Sequence, residues 1–271
     1  MKRFSLYLVG LCLSVSFLSS CLKGSNEWEG IAVGVLSINS RNMQPILTTS
    51  NAVLHAPSFV TLCNEGKMNY NDCYIILCKL NSDLPENSAS AIEANGYQTV
   101  TLLDYSVIQK SSLNDYLVDT ANILPSEMPL TVGLESMDYA ANHLFLSHRV
   151  TIPDDWELTW SMSYDYNTML PTIEGGQRYY DLFIRATANK QTENTQKIDK
   201  SFVNAYDMRD YFRRAATNEK SHLGTGYSPS SSKFTVRFNF ATIINNELNT
   251  LTWGSDKIEL DIVNFLPTVA D

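Results

Sequence analysis

The chain has 271 residues and a formal net charge of −9, and 44% of its residues are hydrophobic, 11% aromatic and 18% charged. This composition excludes wholesale disorder, because so much apolar side chain can bury a core. The acidic balance argues against binding of a nucleic-acid backbone, which needs a basic surface. Beyond residue 22, no stretch approaches the ~20 apolar residues of a membrane-spanning helix.

The N-terminal residues predict a bacterial lipoprotein signal. Lys2 and Arg3 form a basic start, an apolar run covers residues 4–18, and the box Leu18-Ser-Ser-Cys21 follows. A basic start, a short apolar run and small residues before the cleavage point are typical of a secretory signal. The cysteine directly after the small pair makes it a lipoprotein signal. The alternatives are an ordinary signal with a chance cysteine, or an uncleaved anchor.

Lipidation of Cys21 would decide where the mature chain resides. Residues 1–20 are predicted to be the signal peptide, and residues 21–29 a flexible tether. Acyl chains hold a protein at a membrane, and an acidic body is repelled by anionic lipid, so the lipid rather than charge must provide the attachment. Leu22, rather than Asp, follows Cys21, and by resemblance to known sorting signals this favours the outer over the inner membrane.

The first half of the mature chain has the pattern of strands and turns expected of a small β-barrel. Short runs rich in Val, Ile, Thr, Tyr and Phe alternate with Asn, Ser, Gly and Pro, a pattern typical of strands and turns. The predicted strands are residues 30–38, 44–50, 59–63, 72–80 and 97–110, with a helical turn at residues 89–94. Because closure removes exposed strand edges, these short strands favour a barrel over residues 30–112.

The second half predicts a β-sandwich over residues 129–271, reached through a connecting segment at residues 113–128. Phe234, Val236 and Phe238 alternate with polar residues, which is typical of a strand with one buried face. The predicted strands are residues 139–152, 156–165, 178–187, 233–242 and 257–265. Pro153-Asp154-Asp155 predicts a hairpin turn between the first two strands.

One amphipathic helix is predicted within the sandwich. Met208, Tyr211, Phe212 and Ala215 stand at positions i, i+3, i+4 and i+7, which places them on one apolar face. Acidic residues come early in this segment and basic residues late, which complements the helix dipole. The sequence therefore predicts an all-β protein in which a small barrel precedes a β-sandwich that carries one inserted amphipathic helix.

The cysteines do not predict a disulfide framework. After removal of the signal and acylation of Cys21, Cys63, Cys73 and Cys78 remain, which is an odd number. Cys73 and Cys78 lie five positions apart in one predicted strand and point to opposite faces, so they cannot bond each other. One bridge from Cys63 to either of the others stays open, but buried free thiols are the favoured interpretation.

The most conspicuous candidate site is the aromatic row of residues 156–165. Trp156 and Trp160 share one face of this strand with Leu158 and Met162. An exposed row would stack on sugar rings, whereas an inward row belongs to the sandwich core. The apolar neighbours favour the core. Trp156 and Trp160 are the candidate ligand-stacking residues if the row is exposed instead.

No motif predicts catalysis, a metal or a cofactor. The four histidines lack zinc-ligand spacing. Adjacent Asp154 and Asp155 are explained as turn formers, because neighbours in sequence do not straddle a glycosidic bond as a hydrolase pair must. Gly224-Thr-Gly226 lacks the third glycine and the βαβ context of a nucleotide loop. We therefore predict no catalytic residue, metal ligand or cofactor.

The layout resembles the NigD-like lipoproteins of anaerobic Gram-negative gut bacteria. The resembling pieces are Trp28 with Ile31–Val35, the run Pro45–Thr49, the hydrophobic strand Cys73–Leu77, and Tyr97–Lys110. The resemblance covers residues 28–112 and implies an OB-like N-terminal barrel followed by a C-terminal β-sandwich. It implies no agreed activity and no catalytic residues.

These patterns predict a non-catalytic binding or accessory module of the outer membrane. It is held by its lipid anchor, and its partner is a glycan or another envelope protein. One alternative is a structural subunit of fimbrial or adhesin type, which needs an edge strand open to donor-strand pairing. A second alternative is a hydrolase on a β scaffold, which needs two carboxylates that converge in a cleft from different strands.

Overall fold

The computed structural model describes residues 26–111, 113–114, 119–130, 134–165, 169–189, 196–245, 247 and 249–266. The chain forms two compact units. The first combines the chain up to Lys110 with Ser136–Leu146 and Val203–Ala205, and the second contains the rest. The predicted signal peptide and Cys21 lie outside the described residues. Within these ranges, no helix has the length and apolar character needed to cross a membrane.

The first unit is built on a small barrel. Its elements are β1 (Glu27–Ile38), β2 (Pro45–Thr48), β3 (Val53–His55), α1 (Pro57–Asn64), β4 (Cys73–Asn81), a 3-10 turn (Pro85–Asn87), α2 (Ala89–Asn95), β5 (Gln98–Thr99) and β6 (Thr101–Lys110). Strand β1 pairs antiparallel with β2 and β4, β2 pairs with β3, β3 runs parallel to β5, and β4 pairs with β6.

Closure of the barrel follows from one bent strand. Only Val100 separates β5 from β6, so the two form one nearly continuous strand. Its β5 part pairs with β3, and its β6 part pairs with β4. A five-stranded, partly open barrel of this kind is the OB arrangement, and the predicted OB-like barrel is confirmed. The helical turn predicted at residues 89–94 is α2, which Ser88 caps at its N-terminus and Gly96 ends in the left-handed conformation.

The barrel interior holds the first hydrophobic core. Leu36, Leu47, Phe59, Tyr74 and Ile76 are almost fully buried there, and complete burial of a large apolar side chain stabilises a fold by roughly 1.5–3 kcal/mol.

Phe59 enters this core from helix α1, and the strand predicted at residues 59–63 was therefore wrong. Its Phe, Val and Thr residues resemble a strand, but Pro57 occupies the first turn and is already fixed in a helical φ. Burial of Phe59 then outweighs the β propensity of its neighbours.

A second core of the first unit lies on another face of its sheet. Val33, Val35, Cys73 and Ile108 pack there with Ala140, Phe145 and Ala205. The last three residues come from the two later segments of this unit. Those segments belong to three strands of the same sheet: β9 (Leu134–Ala140), β10 (His143–Pro153) and β14 (Lys197–Asp207).

The second unit contains a mixed sheet. Its further elements are β7 (Leu113–Asn114), β8 (Glu127–Met128), β11 (Leu158–Ser163), β12 (Thr172–Glu174), β13 (Gln177–Ala188), α3 (Arg209–Leu223), β15 (Lys233–Asn245), β16 (Thr250–Asp261) and 3-10 turns at Gly224–Gly226 and Ile262–Phe265. The strand order is β16-β15-β13-β11-β7, and β8 and β12 also pair with β13. Strands β13 and β15 run parallel, whereas β15 and β16 form an antiparallel pair.

The predicted alternation in β15 is confirmed, because Phe234, Val236, Phe238 and Phe240 are all buried on one face of this sheet. Parts of β10 and β14 lie over that face, as the contacts of His148 and Phe202 with Trp160 show. These two layers, with α3 as the inserted helix, confirm the predicted all-β class. The apolar stripe of α3 is buried, as predicted.

Two sequence-based interpretations of the second unit need correction. Pro153-Asp154-Asp155 does form a turn, closed by the Trp156 amide donating to the Pro153 carbonyl. The strands on either side are not a hairpin, however, because β10 and β11 lie in different sheets. Turn residues fix a local change of direction but not the sheet that the next strand joins. Likewise, the predicted connection at residues 113–128 contributes β7 and β8 to the sheet, where they pair with β11 and β13.

Candidate binding cleft

The tryptophans proposed as a stacking platform face inward. Trp160 is 6% exposed, and its ring stacks on His148 with the centroids 4.6 Å apart. Trp156 is half-buried. The indole Nε1 atoms of both are buried and have no hydrogen-bond partner among the described residues. Burial of Trp160 with Leu158 and Met162 favours the core interpretation of this strand face, and ligand stacking by Trp156 and Trp160 stays a prediction.

The cysteines are free thiols, as the sequence favoured. Cys73 and Cys78 are buried, and Cys63 is half-buried. Burial raises the pKa of the Cys78 thiol to about 11, so it stays protonated and unreactive at neutral pH.

A different site is formed at one end of the sheet of the second unit. A cleft of about 330 Å³ lies where the parallel strands β13 and β15 begin and the neighbouring strand β16 ends, and Glu219 of α3 completes its wall. Gly175 and Gly176 adopt positive φ in the tight turn that leads into β13. The volume lies at the small end of the range found for ligand sites. We call this site the tyrosine–cation cleft and define it by Arg178, Tyr179, Glu219, Lys233 and Lys257.

Tyr179 supports the cations of the cleft. The Lys257 Nζ atom lies 4.2 Å from the centre of the Tyr179 ring and donates to its hydroxyl oxygen at 3.2 Å. The guanidinium carbon of Arg237 lies 4.7 Å from the same centroid. Such cation–π contacts are attractive because the ring face carries negative charge. The tyrosine therefore holds two positive charges close together.

These two cations differ in how they are neutralised. Arg237 binds both carboxylate oxygens of Asp181, at 2.6 and 2.9 Å, and also Glu174 at 2.5 Å. Although burial alone raises the pKa of Asp181, its hydrogen bonds with Arg237, Thr172 and Asn239 hold that pKa below its ordinary value. Lys257 has no carboxylate within salt-bridge distance among the described residues. Its ammonium is therefore the uncompensated charge of the cleft.

Arg178 is only partly used by the protein. Its Nε donates to both carboxylate oxygens of Glu219, at 3.0 and 3.1 Å, and the Tyr180 hydroxyl donates to the same carboxylate at 2.9 Å. Burial, followed by the charge of Glu219, raises the pKa of Tyr180 well above its ordinary value. Arg178 also makes a hydrogen bond with the Tyr180 side chain, and the other N–H donors of its guanidinium have no further partner in the described part of the chain. They remain available as donors.

The last cation is Lys233, whose Nζ lies 3.6 Å from Glu259 with both side chains about half exposed or more. Such an exposed and long ion pair is weak. The cleft thus presents three cations with spare donors on a protein of net charge −9, and this arrangement suits recognition of an oxyanion. No group of His, Cys, Asp and Glu side chains suitable for a metal ion occurs in the described ranges.

Sequence reasoning missed this site because its members are scattered. Tyr179 and Tyr180 were visible as neighbours on opposite strand faces, but neither ring is diagnostic on its own. Lys257 lies 78 positions from Tyr179, and their contact depends on the pairing of β13, β15 and β16. The two glycines before β13 were the one local signal, since they indicate a tight turn at this place.

Comparison with known proteins supports the predicted resemblance. Residues 24–106 match the family model described as a lipoprotein OB domain. No curated protein matches the sequence. The resemblance of the N-terminal domain to OB-domain lipoproteins is therefore confirmed over this segment.

Several solved structures are similar to this chain over most of its length. An uncharacterized protein from Parabacteroides merdae is 19% identical with a TM-score of 0.69, and the match covers 86% of this chain and 99% of that one. A protein named as a lipoprotein, from Bacteroides fragilis, is 13% identical with a TM-score of 0.50 and coverages of 86% and 97%. A NigD-like immunity protein from Bacteroides caccae is 10% identical with a TM-score of 0.47 and coverages of 86% and 97%. The first two structures establish a shared fold alone, because their identities to this chain are so low.

Proposed function

We propose that this protein is a lipid-anchored, non-catalytic binding or accessory module of the bacterial outer membrane. Its ligand, a glycan or a group on another envelope protein, enters the tyrosine–cation cleft. The observation that carries the proposal is the set of spare donors on Arg178, Lys233 and Lys257 around one cleft. The family match supports envelope attachment. The lipoprotein signal Leu18-Ser-Ser-Cys21 provides the cysteine that would carry the lipid.

The carboxylates of the cleft favour binding over hydrolysis. Glu219 accepts hydrogen bonds from Arg178 and Tyr180, and Glu259 lies beside Lys233. A glycosidase needs one carboxylate that stays protonated as an acid and a second that acts as a nucleophile or base. Glu219 is already engaged by Arg178 and Tyr180, and Glu259 lies beside Lys233, so neither carboxylate is left free for such a role in this cleft.

The structural-subunit alternative also has a feature in its favour. Strand β16 ends the strand order of its sheet and is 12 residues long. Donor-strand pairing uses an edge of this kind. Charged residues such as Lys257, Glu259 and Asp261 alternate along it, however, and charged side chains are a common protection of sheet edges against pairing. We therefore prefer the binding module.

The anchor is tested by metabolic labelling with a palmitate analogue. Wild-type protein expressed in a Gram-negative host is expected to incorporate the label and to fractionate with the outer membrane. The Cys21→Ala variant is expected to lose the label entirely, because no acyl acceptor remains at the cleavage point. A Cys63→Ala variant is the control and should label like wild type. Equal labelling of wild type and Cys21→Ala would refute the anchor.

The cleft is tested by filling it without changing its charge. Thr235 lines the cleft and is half-buried, so Thr235→Trp is expected to occlude the cleft. On an array of glycans and envelope-protein fractions, the mature protein should bind a defined subset, and this binding should fall at least tenfold in the variant. Thr217→Trp, on the exposed side of α3, is the matched control. Equal binding by Thr235→Trp and Thr217→Trp, with the fold intact by circular dichroism, would place the ligand elsewhere.

A further inference from the structure

We infer that the tyrosine–cation cleft recognises an acidic saccharide, whose carboxylate or sulfate group contacts Lys257 and whose chain continues along the sheet toward Trp253. This inference rests on the proposed function and adds to it the chemical class of the ligand. Three observations lead to it: an uncompensated ammonium, spare donors around it, and an aromatic pair farther along the same sheet face.

The position of Lys257 defines where the anion binds. Tyr179 holds the ammonium in place. The Lys257 Nζ atom lies 4.2 Å from the centre of the Tyr179 ring and 3.2 Å from its hydroxyl oxygen. Arg237, on the strand beside it, is already neutralised by Asp181 and Glu174. An ammonium that is held in place but has no carboxylate partner in the described ranges loses little freedom when an anion arrives. A ligand oxyanion therefore completes the charge pattern of the cleft.

The other donors fit an oxyanion with several acceptor oxygens. Arg178 keeps N–H donors available after its contacts with Glu219 and Tyr180, and Lys233 is held only by the 3.6 Å contact with Glu259. Arginine and lysine donors together suit a carboxylate or sulfate, because charge-assisted hydrogen bonds are stronger than neutral ones. The cleft volume of about 330 Å³ admits a small group rather than a folded partner.

An aromatic pair indicates that the ligand extends beyond the cleft. Trp253 lies on the same face of β16 as Lys257, four residues away, and Phe183 meets it edge-on with the ring centroids 5.4 Å apart. Both rings are half-buried. Four strand residues correspond to ~13 Å, a span that an oligosaccharide covers and a free inorganic anion does not. The Arg185 guanidinium lies over the Trp253 ring, 5.9 Å from its centroid, and the apolar C–H face of a sugar packs on the exposed part of these rings, which supply large contact area.

The test uses the mature, acylated protein in detergent and isothermal titration calorimetry. The probes are an oligosaccharide that contains glucuronate, its carboxyl-reduced neutral form, a sulfated form of the same backbone, and inorganic sulfate. We expect the acidic forms to bind at least tenfold more tightly than the neutral form and inorganic sulfate. The carboxylate and sulfate arms then distinguish the two sources of the anion.

Two lysine variants make the test specific. Lys257→Gln is expected to weaken binding of the acidic oligosaccharide about tenfold, which corresponds to ~1.4 kcal/mol. Lys220→Gln is the matched control, because Lys220 makes a similar contact with the Tyr227 ring at 5.1 Å but does not line the cleft. Trp253→Ala should weaken binding of the acidic and neutral oligosaccharides alike.

Three outcomes would overturn the inference. They are equal affinity for the acidic and neutral forms, equal affinity of the Lys257→Gln and Lys220→Gln variants, and binding of inorganic sulfate as tight as that of the oligosaccharide. If either of the first two outcomes occurs but Thr235→Trp still weakens binding on the array, the proposed function remains supported and only the ligand class is wrong. If Thr235→Trp has no effect, the proposed function fails independently of the ligand class.

Discussion

Replacement of Glu127 by glutamine is expected to lower the free energy of unfolding by about 3–5 kcal/mol, because it leaves a guanidinium charge buried without its counter-charge. Glu127 and Arg185 form a bidentate pair with both contacts at 2.6 Å, and their side chains are 0% and 5% exposed. Arg185 also donates to the carbonyls of Asp119 and Asn122, at 2.7 and 2.6 Å. This pair therefore ties the segment before β8 to β13.

The matched control for this prediction is a surface pair. Glu27 and Lys79 lie 2.6 Å apart but are each 40% exposed, so Glu27→Gln should produce no measurable change. Urea unfolding followed by circular dichroism at pH 7 compares the two variants. The double variant Glu127→Leu with Arg185→Met should recover most of the loss, since apolar residues often replace a buried ion pair without penalty. Equal shifts for Glu127→Gln and Glu27→Gln would contradict the prediction.

The second large effect concerns acid stability. His148 lies in the core against Trp160, and burial lowers its pKa from 6.5 to about 4. Between these two values the unfolded chain binds a proton that the folded chain does not, so unfolding is favoured as the pH falls. The free energy of unfolding is expected to decrease from pH 6.5 to pH 4 by up to about 3 kcal/mol through this group alone.

His148→Phe should remove this part of the pH dependence. Phenylalanine retains an aromatic ring to pack on Trp160 but has no titrating nitrogen. The slope of unfolding free energy against pH between 6.5 and 4 should therefore become flatter than in wild type. His222→Gln is the control, because His222 is exposed, and its slope should match wild type. An unchanged slope in His148→Phe would show that His148 is not the responsible group.

Local patterns predicted the elements well where the neighbours along the chain decide the outcome. The alternation of Phe234, Val236 and Phe238 and the i, i+3, i+4 spacing in α3 each place an apolar face that must be buried. The exception at Phe59 has the same cause, since a short apolar run with β-branched residues fits a helix or a strand equally. Pro57 in the first turn and the contact of Phe59 with the barrel interior together selected α1.

The sequence by itself determined the β-rich character of the chain and the helix after Met208, and it predicts the lipoprotein signal at Cys21, since each depends on residues within a few positions of one another. Tertiary structure alone decided that β10 and β11 separate into two sheets, that Trp160 faces inward, and that Tyr179 meets Lys257. The physical reason is that strand partners are chosen by burial and hydrogen bonding over the whole unit, so contacts between distant residues leave no local pattern to recognise.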